Sequence, residues 1–139
     1  MLLVLVVREL MRPQVEHKKP KKNMPILSSH SPRAGVDVDI LKVGTGAEAV
    51  SGKIVRVHYT AFLTNGKKVD SSYDRSEVYS FTMGRREVIP GWEAGMIGMK
   101  QGEIRKFKIA PEHAYGAKGK AEVPPNATMI FEVELIQVI

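Results

Sequence analysis

The chain has 139 residues, 43% hydrophobic and 26% charged, which suits one globular domain with a core of its own. It contains no cysteine, which excludes disulfides, thiolate metal sites and a cysteine nucleophile. The formal net charge is +6, but seven basic and two acidic side chains fall in residues 1–35, so the remainder is near neutral and makes a poor nucleic-acid surface.

The first residues read MLLVLVVRE. The apolar run is far short of the roughly 18 residues that span a bilayer, and it lacks the basic start and small-residue cleavage site of a signal peptide. A short apolar helix or strand over 1–14 is expected, with a weak membrane or partner anchor as the alternative. The expected location is the cytoplasm. Residues 15–35, VEHKKPKKNMPILSSHSPRAG, hold three prolines and several serines and read as a linker. Their HKKPKK cluster is expected to be a solvated tail. A nuclear-import patch is the alternative, and nucleic-acid or anionic-surface contact through it is not expected. The division is therefore a basic, flexible extension over 1–34 and a domain over 35–139.

From Val36 the character changes. Val36, Val38 and Ile40 alternate with polar residues, the period of a strand, and Gly44-Thr45-Gly46 ends it. Lys53–Leu63 is the strongest strand of the first half, and Asn65-Gly66 is a turn signal. Tyr79–Met83 reads as another short strand, closed by Gly84. Pro90 suits a first helical turn, and Trp92, Met96 and Met99 recur at helical spacing, so one short helix is expected over Pro90–Met99. Glu103–Ile109 and Thr128–Ile139 complete the strands, separated by a loop over 111–126. A ten-residue helix is too short to stand alone and must pack on the sheet. The fold class is α+β: a curved, mostly antiparallel sheet of about five strands wrapped around one short helix.

The usual catalytic constellations are missing. There is no P-loop, no Gly-x-Ser-x-Gly, and the Gly44-Thr45-Gly46 stretch lacks the further glycine of a dinucleotide fingerprint. Glu132 and Glu134 alternate along one strand and read as solvated. His17, His30, His58 and His113 have no partners at metal-ligand spacing, so neither metal nor cofactor is expected. What remains is a group of apolar rings and aliphatics near loops: Tyr59, Tyr79, Phe81, Ile89, Trp92, Tyr115 and Phe131. They form an ordinary core unless Trp92 faces the concave side of the sheet, in which case they form a pocket for a neutral ring.

Four stretches, VHYTAFLTNGKKVDSSYDR (57–75), EVIPGWEAGM (87–96), PEHAYGA (111–117) and VPPNATMIFEVEL (123–135), carry a resemblance that spans about three quarters of the chain. In this order and spacing the chain resembles the FKBP family of peptidyl-prolyl cis–trans isomerases. The resemblance implies a pocket floored by Trp92 and closed by Phe131, with Asp70 and Tyr115 as polar groups of the catalytic set. It implies substrate-binding walls from Tyr59, Val69, Tyr79, Phe81, Val88, Ile89 and Val123, with Arg75 at the rim. The Ile89 N–H and the Tyr115 hydroxyl would bind carbonyls flanking the proline. Expected partners are proline-containing peptides and proteins, and macrolides such as tacrolimus and rapamycin. The expected protein is a monomer that assists protein folding.

The chain departs from the family pattern in three places. Val69 stands where a phenylalanine is usual, so one wall lacks its ring. Ala61 replaces a common glycine. The loop from Gly116 to Pro125 is about one residue short, with Lys118, Lys120 and Glu122 where apolar residues are frequent. The competing function is a binding module that holds partners through the same pocket, or through the tail, without turnover.

Overall fold

The computed structural model describes residues 23–139; the apolar start and the HKKPKK cluster discussed above lie outside them. Seven strands form one sheet: β1 (Ser28–Arg33), β2 (Val36–Lys42), β3 (Ile54–Leu63), β4 (Lys68–Ser71), β5 (Tyr79–Thr82), β6 (Ile104–Ile109) and β7 (Met129–Val138). Their order is β1-β2-β6-β7-β3-β4, and β5 also pairs with β3. Every pairing is antiparallel. The expected α+β architecture is therefore present, with two more strands than the sequence suggested.

The long strands β3 and β7 are the spine, paired from Val55↔Val138 to Leu63↔Met129. The other edge of β3 is shared: β5 takes Ile54–Val57 and β4 takes Thr60–Phe62. The segment between β4 and β5 therefore starts and ends beside β3. Register shifts interrupt β3 against β7, β3 against β4, and β2 against β6. Such bulges strengthen the local twist and bend a strand, which helps this sheet to curve.

The two unexpected strands have weak signals for physical reasons. β1 reads SSHSPR and is exposed along its whole length. It needs no apolar face, because Ser29 and Ser31 donate hydrogen bonds to the Asp39 and Asp37 carboxylates of β2 at 2.7 and 2.6 Å. Pro32 falls at the register shift between His30 and Arg33, where a missing N–H is tolerated. Residues 28–33, expected as part of the extension over 1–34, belong to the sheet. β4 is only four residues, the return arm of the Asn65-Gly66 turn, in which Gly66 has φ +91°.

One face of the sheet holds the core. Along β7 the alternation is clean, with Met129, Phe131, Val133 and Leu135 buried. Phe107 lies opposite Phe131, and Ile109 opposite Met129. Against this face packs the helix α1 (Pro90–Met96), which contacts β2 and β6. It is shorter than expected. Ile97 leaves helical geometry, Gly98 turns at φ +79°, and Met99 is buried after the helix has ended.

The close seating of α1 explains two of its residues. A Cβ at Gly91 would lie 2.4 Å from Ile109 Cγ2, and one at Gly95 would lie 3.0 Å from the Phe107 ring. Glycines four residues apart thus let the helix backbone sit directly on β6. Its last carbonyls are met by Arg105, whose guanidinium donates to Gly95 O at 2.8 Å and Ile97 O at 3.2 Å. Arg105 in turn pairs with Glu103 at 2.5 Å, both side chains more than nine-tenths buried. A helix of seven residues cannot hold itself together, and this ion pair satisfies what its own ladder cannot.

Candidate active site

Seating α1 by its glycines places Trp92 at the helix start, facing the sheet. Pro90 occupies the first helical position and leaves no wasted N–H. The indole is 4% exposed and ringed by aromatics: Tyr59 at 5.1 Å, Phe131 at 5.5 Å, Phe81 at 5.9 Å and Tyr79 at 6.2 Å between centroids. Tyr59 and Phe131 meet it nearly edge-on, at 81° and 89°, the favourable arrangement for aromatic quadrupoles. The indole Nε1 is buried with no hydrogen-bond partner among the described residues.

Above this indole lies a cavity of about 530 Å³. Its walls include Tyr59, Val69, Asp70, Tyr79, Val88, Ile89, Trp92, Tyr115, Val123 and Phe131, ten of the twelve site residues expected from the sequence. Arg75 and Phe81 do not line it. Phe81 stands behind the wall, 3% exposed and packed on Tyr79 and Trp92. Arg75 holds the rim from outside. Sequence reasoning missed four lining residues: Ala61, Glu87, Lys120 and Met129. Ala61 and Met129 were recoverable, since each lies two positions from a lining residue on its strand and so shares its face. Val69 lines the cavity as an aliphatic side chain, on the short strand β4.

The polar rim is one connected cluster. Tyr59 donates its hydroxyl to Asp70 Oδ2 at 2.5 Å, and Arg75 donates to the Tyr59 oxygen at 2.9 Å and to Asp70 Oδ1. The Ser71 N–H also donates to Asp70, at 2.8 Å. Burial alone would raise the Asp70 carboxyl. The hydrogen bonds from Tyr59 and Arg75, and the Arg75 charge, outweigh that and hold it below its ordinary range. Burial, followed by the Asp70 carboxylate, pushes the Tyr59 phenol up to about 12. Asp70 is thus an acceptor already engaged, and Tyr59 a protonated donor already spent. Neither is free to move a proton.

Two other donors are free. Among the described residues no acceptor takes the Ile89 N–H, and the Tyr115 hydroxyl has no hydrogen-bond partner. Burial, with smaller contributions from Asp70 and Tyr79, raises the Tyr115 phenol and keeps it protonated. The Ile89 carbonyl is occupied, accepting from Trp92 N at 3.0 Å as the helix begins. The arrangement can bind an apolar ring against Trp92 and carbonyl oxygens at its edge. It offers no activated nucleophile.

Comparison with known proteins agrees with this geometry. The family model described as FKBP-type peptidyl-prolyl cis-trans isomerase matches residues 46–136. An FK506-binding protein of Neisseria meningitidis is 50% identical over 105 residues, spanning 75% of this chain and 96% of that one. FK506-binding protein 1A of Neurospora crassa is 47% identical over 104 residues, spanning 73% of this chain and 87% of that one. Among solved structures, that of AtFKBP13 is 35% identical with a TM-score of 0.73, covering 81% of this chain and 99% of the other. The chain belongs to the FKBP-type peptidyl-prolyl cis-trans isomerases.

Proposed function

We propose that the cavity over Trp92 is where this isomerase twists an X–Pro bond, and that it does so by differential binding alone. The cis and trans forms differ by only about 0.5–1 kcal/mol, while a barrier of about 18–20 kcal/mol protects amide resonance. Lowering that barrier needs no covalent step. It needs a site that binds the half-rotated amide better than either planar form. A twisted amide has less charge separation, so its carbonyl loses less on leaving water for an apolar cavity. The observation that carries the proposal is the cavity itself, floored by a buried indole and edged by two unpaired donors.

In this reading Trp92 and Phe131 seat the pyrrolidine ring, with Tyr59, Tyr79, Val69, Val88 and Val123 as the surrounding walls. The Ile89 N–H and Tyr115 hydroxyl take the flanking carbonyls. Asp70 and Arg75 act as positioning residues, since their hydrogen bonds fix the Tyr59 ring beside the indole. The relatives named for FK506 binding, together with the apolar cavity, support macrolides such as tacrolimus and rapamycin as ligands of the same site. Action as a monomer and assistance to protein folding are part of the same proposal.

The test is proline isomerisation measured by NMR exchange on a short Leu-Pro peptide, with and without rapamycin. Acceleration above the thermal rate, abolished by equimolar macrolide with a change in Trp92 fluorescence, is expected. Folded protein that binds the macrolide yet leaves the peptide at its thermal rate would support the binding-module alternative instead.

A further inference from the structure

Three charged side chains line the cavity: Asp70, Glu87 and Lys120. Both carboxylates accept hydrogen bonds from the protein, and Asp70 is also paired with the Arg75 cation. Asp70 is bonded to Tyr59, Arg75 and Ser71 N–H. The Glu87 carboxylate accepts the Thr82 N–H at 2.9 Å. Lys120 is different: among the described residues no carboxylate pairs with its ammonium, and the nearby Glu122 pairs with Lys67 at 3.6 Å.

The backbone of Lys120 is held in place. Its N–H donates to Val123 O at 3.0 Å, and Val123 N–H donates back to its carbonyl at 2.8 Å. Gly119 precedes it at φ +68°, where a Cβ would lie 2.3 Å from Val123 O, so the turn is closed at a position that only glycine fits. The side chain returns over the Tyr115 ring, its Nζ 5.9 Å from the centroid. A cation over an aromatic face is attracted to it, which biases this exposed ammonium toward the Tyr115 side of the cavity.

We propose that Lys120 is a specificity residue: its uncompensated ammonium selects substrates bearing a carboxylate side chain, aspartate or glutamate, immediately beside the proline. The inference rests on the cavity over Trp92 being the isomerase site. The peptide passing Tyr115 brings one neighbour of the proline under the ammonium. An acidic side chain there gains the attraction of an exposed ion pair, and a basic one meets repulsion.

The experiment compares matched peptides with Glu, Gln or Lys placed immediately before the proline, and a second set with the same residues immediately after it. Wild-type protein at low salt is expected to turn over the Glu peptide about threefold or more faster in kcat/KM than the Lys peptide in one of the two sets. The ratio should fall towards one with Lys120→Gln, reverse with Lys120→Glu, and shrink at high salt as screening sets in. Equal rates for Glu and Lys peptides in both sets would overturn the inference, as would a preference that survives Lys120→Gln. Failure of all peptides to be accelerated would overturn the isomerase site itself. Acceleration without charge preference would overturn only the role of Lys120.

Discussion

Replacing Trp92 by phenylalanine separates its two roles, as core residue and as floor. The indole N–H is buried without a partner, and such a donor costs about 1–3 kcal/mol. Trp92→Phe removes that cost. It also removes about three heavy atoms of buried ring, worth about 2–3 kcal/mol. The two effects oppose each other, so the net loss of unfolding free energy should stay below about 2 kcal/mol. Trp92→Ala has no such offset and should cost about 3–5 kcal/mol. The assay is urea unfolding followed by circular dichroism, since the chain's single tryptophan is lost in both variants. Turnover should respond differently from stability. A smaller ring leaves part of the proline unsupported, and about 1.4 kcal/mol of lost contact in the transition state is about tenfold in kcat/KM. A Trp92→Phe protein that is destabilised as severely as Trp92→Ala while keeping full turnover would refute the reasoning, because the indole would then be a core residue only.

Other perturbations test the supports of the site. Gly91→Ala places a methyl 2.4 Å from Ile109 Cγ2 and should cost about 1–3 kcal/mol by overpacking; an unchanged thermal midpoint would show that α1 can lift from β6 freely. Arg105→Ala leaves Glu103 buried without its cation and Gly95 O without its donor; a loss of about 3–5 kcal/mol in urea unfolding is expected, and a loss below about 1 kcal/mol would mean the pair does not hold the helix end. Asp70→Asn should lower turnover, but because its side chain is 43% exposed the stability loss should stay under about 1 kcal/mol; turnover equal to wild type would remove it from the site. Tyr59 gives a pH signature: its phenol is pushed up to about 12, so its contribution is complete below about 10 and lost as pH rises through 12. Alkaline unfolding of wild type should therefore steepen over that window relative to Tyr59→Phe, and identical profiles would contradict the burial and the Asp70 bond that raise this phenol.

The amino-acid sequence by itself determined much of this protein. Period-two alternation marked β2, β3, β6 and β7 because each has one face in the core, and burial of one face writes itself into the order of residues. Pro90, together with Trp92, Met96 and Met99 at helical spacing, marked the helix, since a proline fits a first turn and that spacing puts three large side chains on one face. The motif resemblance supplied the family and ten of the residues that line the cavity. What only the tertiary structure decided depended on partners distant in the chain. β1 has no apolar pattern because serine–aspartate bonds to β2, not a core face, hold it. The helix ends at Met96, three residues early, because Arg105 from β6 caps its carbonyls and Gly98 turns the chain away. Phe81 lies behind the wall instead of in it, since which of two neighbouring rings reaches a cavity depends on how the sheet curves. Lys120 enters the site because a turn closed by Gly119 returns it over Tyr115, a placement fixed by hydrogen bonds and not by any periodicity of the chain.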